Sequence, residues 1–204
     1  MNLKFLASPF PKQAVHWRAQ SVTQDGTKAM ALAYLDARDV QDRLDLVCEP
    51  QNWQCEYTES PKGRVICRIG IRVGDEWVWK ADGAGDTAVE GEKGGISDAF
   101  KRAAVPWGVG RYLYRLSAPW VPCEAYERNG KMHWRKWTDS PWDYVKSAPP
   151  APEDRARDLY QTLKDAEDVA PIVTSNSALM KEIETLVPSV HQHIQALLAE
   201  KEAA

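Results

Sequence analysis

Three features in the middle of the chain predict an α+β fold. Short segments alternate apolar and polar residues at a period of two, turn-forming residues separate them, and the long segment that follows switches to the helical period. Trp53 to Glu59, Arg64 to Val73 and Glu76 to Ala81 read as antiparallel strands, joined by Ser60-Pro61-Lys62-Gly63 and Gly74-Asp75. In the middle strand Val65, Cys67, Ile69, Ile71 and Val73 fall on one face, and Arg64, Ile66, Arg68, Gly70 and Arg72 on the other. The sheet therefore has an apolar face and a cationic face. A solvated surface and a ligand-facing ladder both fit the cationic one.

A glycine-rich passage (Gly83, Gly85, Gly91, Gly94, Gly95) leads into a helix that opens near Gly94 or Gly95. Ile96, Phe100, Ala103 and Trp107 share one stripe of it, so the helix is predicted to cover the apolar sheet face in a β-β-β-α unit. Lys101 and Arg102 then point away from the packed stripe. Pro106 lacks the amide that would bond back to Arg102, and Gly108 and Gly110 follow, which predicts a break before a second short helix bearing Arg111 and Arg115.

Upstream, Ser8-Pro9-Phe10-Pro11 is a start signal, and Lys12 to Arg18 reads as a short helix with Val15 inward. Asp25-Gly26 predicts a hairpin between Ser21–Gln24 and Lys28–Tyr34, with Met30, Leu32 and Tyr34 on one side. Asp36 caps a helix to about Val47 in which Val40, Leu44 and Val47 share a face. Arg38 and Asp45 point outward there, and Arg43 lies at the edge of the stripe.

Downstream, Trp120, Trp134, Trp137 and Trp142 sit among Arg128, Lys131, Arg135 and Lys136, and Asn129-Gly130 predicts a hairpin turn. Stacking on unpaired bases and sealing of a domain edge or subunit contact both fit this composition. Ala148-Pro149-Pro150-Ala151-Pro152 reads as a stiff linker. Three helical patterns follow: Ala156/Leu159/Tyr160/Leu163, Leu179/Met180/Ile183/Leu186, and Val190/Ile194/Leu197, the last opened by a Ser189 to Gln192 capping box. The predicted division is a core over 1–147, a linker over 148–152 and a helical region over 153–204.

The formal net charge of -3 conceals an asymmetry: residues 1–147 hold 21 Lys+Arg against 19 Asp+Glu, and 148–204 hold 5 against 10. The acidity belongs to the tail, so the whole-chain balance does not argue against a polyanionic partner. No apolar run approaches the ~20 residues needed to cross a bilayer, and Met1 to Ala7 is too short for a signal peptide, which makes the cytoplasm the expected location. Cys48, Cys55, Cys67 and Cys123 lack the paired spacing of zinc sites, and His16, His133, His191 and His193 are scattered. No phosphate-cradling Gly-Lys-Ser/Thr loop, His-Glu-x-x-His or Gly-x-Ser-x-Gly occurs, so neither an enzyme, a metal nor a nucleotide cofactor is expected.

Ile96-Ser97-Asp98-Ala99-Phe100-Lys101-Arg102-Ala103, with Gly83-Ala84-Gly85 before it and Trp107-Gly108-Val109-Gly110-Arg111-Tyr112-Leu113 after it, resembles the core of the Rad52 family of single-strand annealing proteins, in its bacteriophage and bacterial branch. Tyr34-Leu35-Asp36-Ala37-Arg38-Asp39-Val40, with Arg43-Leu44-Asp45 and Trp53, is similar to the upstream helix of that family, so the match spans Pro11 to Leu116. The resemblance implies ATP-independent binding of single-stranded DNA and annealing of complementary strands in recombination and repair, by a homo-oligomeric ring or arc. By position, Lys101 and Arg102 match the basic pair of the family's DNA groove, Arg38 matches a residue of the upstream helix, and Lys93 is a candidate for a secondary DNA contact. Val105 stands where another basic residue is expected, and Arg111 either compensates or bonds across subunits. Arg64, Arg68 and Arg72 join the candidates from strand alternation alone. A single-strand-binding protein or an exonuclease is a possible partner of the helical region. The competing reading is a recombination or replication scaffold that recruits proteins through that region.

Overall fold

The computed structural model describes residues 1–60, 63–84, 92–146 and 148–202, with side chains of 92–94 left aside. The glycines and turn residues predicted at 61–62, 85 and 91 lie outside the described residues. Strands β3 (Trp53–Glu59), β4 (Val65–Val73) and β5 (Glu76–Gly83) form one antiparallel sheet in that order. Their bounds follow the alternation of the sequence within two residues. Helix α2 (Glu92–Ala104) lies on the face bearing Cys67, Ile69 and Ile71, which are fully buried together with Ala99 and Ala103, while Phe100 is 2% exposed. Trp107 closes this layer by donating its indole N–H to the Ile69 carbonyl at 3.1 Å. The predicted β-β-β-α unit and the α+β class are what the chain adopts.

Ile96 does not join the packed stripe: it is 48% exposed. Gly95 makes the approach instead, since a Cβ there would sit 3.5 Å from a Val65 methyl. The helix comes down on the sheet through its small residue, and the neighbouring isoleucine is turned outward. Past Ala104 the chain tightens into a 3-10 turn at Val105–Trp107, and after Gly108 and Gly110, both at positive φ, into another at Arg111–Arg115, as the proline and glycines predict.

A second sheet has the order β1-β2-β6-β7, with β1 (Val15–Val22), β2 (Lys28–Leu35), β6 (Trp120–Arg128) and β7 (Lys131–Trp137). The helix expected at Lys12 to Arg18 is reduced to a single 3-10 turn, Lys12–Ala14. From Val15 onward the backbone groups pair with β2, Val15 opposite Leu35 and Arg18 opposite Leu32, so the Asp25-Gly26 hairpin is longer than read. Met30, Leu32 and Tyr34 share one side of β2 and are half-buried, while the other side carries the fully buried Ala29 and Ala31. The Asn129-Gly130 turn forms as predicted, with both residues at positive φ.

Helix α1 (Ala37–Cys48) starts where Asp36 predicts, and Asp39 accepts a bond from the Asp36 amide at 3.2 Å. Arg43 is buried. Its guanidinium donates to the Ser8 carbonyl at 2.6 Å and lies 4.0 Å above the Phe10 ring, because the N-terminal segment wraps over the helix face that the sequence left open. Desolvation pulls its pKa down, opposed by Glu153, Tyr112 and Glu182.

The tail forms α3 (Pro152–Asp165), α4 (Ala170–Ser175), α5 (Ser177–Leu186) and α6 (Pro188–Glu202). Ala151 and Pro152 are buried, so Pro152 opens a helix instead of ending a linker. The Ser189 to Gln192 capping box does not form, because Pro188 already starts α6 and places Ser189 inside its first turn. The apolar positions hold: Ala156, Leu163, Ile183 and Ile194 are fully buried and continuous with the cluster around Leu6, Phe10 and Leu44. Glu182 on α5 accepts bonds from Ser8 and, at 2.7 Å, from Arg155.

Candidate nucleic-acid interface

An open groove of about 600 Å³ runs between β2 and the solvent side of α2, and the chain from Val109 to Ala118 closes its third wall. The outward face of α2 contributes Asp98, Lys101 and Arg102, and the 3-10 turn after it contributes Val105. From β2 come Leu32 and Tyr34, and from β1 comes Arg18. Tyr114, 70% exposed, stands at the third wall. The lining thus combines cations, phenol rings and apolar side chains, which suits a strand that offers phosphates and planar bases.

Each of the two paired cations is held differently. Lys101 places its ammonium 5.5 Å from the centre of the Tyr34 ring, a contact that leaves the charge in the groove. Arg102 is more constrained, donating from Nε to the Gly83 carbonyl at 2.6 Å and from Nη2 to Asp82 at 3.3 Å. Both residues also lie in the last turn of α2, where positive charge complements the helix dipole. The C-terminal end is further satisfied by Arg111, whose guanidinium donates to the carbonyls of Val105 (2.9 and 2.8 Å) and Pro106 (2.6 Å). Lys80 adds a bond to Pro106 at 3.0 Å and rests over Trp107.

The sequence-derived candidates therefore separate into groups. Lys101 and Arg102 meet in the groove. Arg38 is exposed on α1, two residues before Val40, which lines the groove. Arg111 lies at the end of α2 with its guanidinium turned to the backbone. The side chain of Lys93 lies outside the described residues. Arg64, exposed, lies just before β4, and Arg68 and Arg72 belong to the opposite face of the β3-β4-β5 sheet. There Arg68 donates from Nε and Nη2 to Glu56 (2.9 and 2.5 Å), and Arg72 sits 3.6 Å from Asp75. Arg18, Tyr34 and Tyr114 escaped the sequence reading as site residues. Arg18 reaches the groove from β1, whose first residues are too few to announce a strand by their period.

The four tryptophans of 120–144 have different surroundings. Trp134 and Trp137 lie 5.1 Å apart, and Trp142 meets Trp17 edge-on at 5.2 Å, while Trp120 remains exposed. Of the four thiols, Cys48, Cys67 and Cys123 are buried and Cys55 half-buried; burial pushes Cys48 up to about 11 and Cys67 to about 12, away from nucleophilic reactivity. His16, Asp36 and Asp39 bring three ligand atoms within 4.8 Å; Asp36 and Asp39 are engaged in starting α1, and His16 on β1 lies 3.4 Å from Asp36. Among the described residues no helix is long and apolar enough to cross a membrane.

Residues 3–132 match the family model described as Rad52/22 family double-strand break repair protein. Two curated relatives carry the description single-stranded DNA-binding protein DdrA. The chain is 43% identical over 122 residues to the one from Deinococcus deserti, covering 58% of this chain and 59% of the relative. It is 38% identical over 130 residues to the one from Deinococcus radiodurans, covering 63% and 62%. The matches thus span about three fifths of the length of these relatives. No solved structure matches the chain.

Proposed function

Since the chain belongs to the Rad52/22 family of double-strand break repair proteins, we propose that it binds single-stranded DNA along the groove beside α2 and anneals complementary strands without ATP. The observation that carries this reading is the placement of Lys101 and Arg102 on one wall of that groove, across from Tyr34. The description of the Deinococcus relatives as single-stranded DNA-binding proteins supports it. Annealing requires that a strand be gripped by its phosphates while its base edges stay free to sample a complement. Lys101 supplies a point charge steadied by a ring. Arg102 supplies a planar fork that exchanges the Asp82 carboxylate for a phosphate when the strand arrives.

Arg18 and Arg38 extend the same cationic path, and Lys93 gives a secondary contact. Arg111 acts as a positioning residue that holds the kinked end of α2 in place. A few phosphates per subunit give modest affinity, so the working form is an oligomeric ring or arc in which linked contacts along one strand multiply.

The test replaces Lys101 and Arg102 by Ala and titrates labelled oligo-dT at several salt concentrations. Each phosphate contact on a single strand contributes about -0.7 to the slope of log affinity against log salt, so loss of two flattens it by roughly 1.4. Unchanged affinity and slope in a folded variant would remove the groove from DNA binding.

A further inference from the structure

The face of the β3-β4-β5 sheet turned away from α2 is built unlike the groove. Trp79 stands opposite Gly70 in the ladder and Trp77 opposite Arg72. A Cβ at position 70 would meet three atoms of the Trp79 ring at 2.9 to 3.0 Å, so the ring turns its face onto the glycine, a fit that any larger residue would spoil. The Arg68 guanidinium sits over that ring, 4.6 Å from its centre. Trp77 lies 6.3 Å from Trp79 at an interplanar angle of 34° and is 39% exposed. Two tilted indoles and a guanidinium therefore make a half-exposed tier across the strands.

Two arginines of this face are already ion-paired, Arg68 with Glu56 and Arg72 with Asp75. Its attraction for a polyanion is correspondingly small, and what it offers is planar surface. Contact with a second copy of the chain would favour an apolar patch depleted of charge, whereas here ion pairs flank the rings. Unpaired bases fit better, because every base has a face to stack and guanidinium planes extend the platform.

We propose that the Trp77–Trp79 tier is a base-stacking shelf for single-stranded DNA, separate from the phosphate grip of the groove. The shelf rests on the reading of the chain as a single-strand binder and divides the work within it: the groove senses charge, the shelf senses bases.

The test uses the full chain and two labelled strands of equal length, one oligo-dT and one abasic throughout. Trp77→Ala is expected to weaken dT binding about fivefold to tenfold, with abasic binding and the salt slope unchanged, and Trp77→Phe to restore most of the loss. Lys101→Ala with Arg102→Ala is expected to weaken both strands alike and flatten the slope. An unchanged ratio of dT to abasic affinity in Trp77→Ala overturns the shelf. So does a Trp77→Ala chain that binds both strands equally poorly and has a smaller mass in solution, an outcome that assigns the face to contact between copies. If the Lys101/Arg102 variant binds normally while Trp77→Ala lowers the ratio, the groove falls and the shelf stands.

Discussion

Arg43 illustrates how far one residue can depart from its sequence pattern without violating its chemistry. On the α1 wheel it borders the apolar stripe, and the structure buries it to 6% exposure. The charge is tolerated because backbone oxygens of the N-terminal segment surround it: Ser8 at 2.6 Å, Phe5 at 3.3 Å and Pro9 at 3.5 Å. Arg43→Ala leaves those acceptors buried without a donor and removes the ring contact to Phe10, a loss of about 3 kcal/mol. Arg43→Lys recovers less than half, since one ammonium cannot span acceptors placed for a planar fork. Urea denaturation midpoints of the three chains check this, and a Lys variant equal to the parent would show that charge alone matters. The same residue marks a limit of sequence reading: its partners lie 34 to 38 positions away, and nothing local announces them.

Elements were most legible where two independent signals coincide. Strands β3 to β5 combine a period of two with the turn at Gly74-Asp75, and α2 combines a helical stripe with a proline stop. They were least legible where a segment is too short to display a period. Lys12 to Arg18 could not reveal that its amides would be claimed by β2, and α4, six residues opened by Ala170-Pro171, gave no stripe at all. The groove wall from Val109 to Ala118 hangs on one backbone position that the sequence did mark, Gly110. Its φ is +65°, and a Cβ would lie 2.9 Å from the Leu35 side chain. Gly110→Ala is expected to cost about 1–2 kcal/mol and to push the wall away from β2. The thermal midpoint should fall, and oligo-dT affinity should fall with it. A chain destabilised to that extent but binding DNA normally would mean that this wall does not shape the site.

For the whole molecule the outward pair Lys101 and Arg102 was readable, but the groove was not, because it exists only once β2, α2 and the chain after Gly110 are brought together. Charge follows a similar rule. The +2 of residues 1–147 and the -5 of 148–204 are sequence facts, yet their effect depends on the tail packing beside the N-terminal segment, through Glu182 and Ser8, instead of trailing away. A docked acidic tail lowers the potential that an approaching strand meets, within a range set by a Debye length of about 10 Å at 0.1 M salt. Glu167, Glu184 and Glu200 are exposed on the tail, so changing all three to Gln raises the formal charge from -3 to zero and should leave the fold intact. The association rate constant for oligo-dT is then expected to rise about twofold to fivefold at ~20 mM salt and to match the parent at ~0.5 M, with the dissociation rate constant little changed. Stopped-flow traces at the two salt concentrations read this directly. Equal association rates at low salt would mean that the tail's field does not reach the strand's path, and that the core presents its cations unscreened.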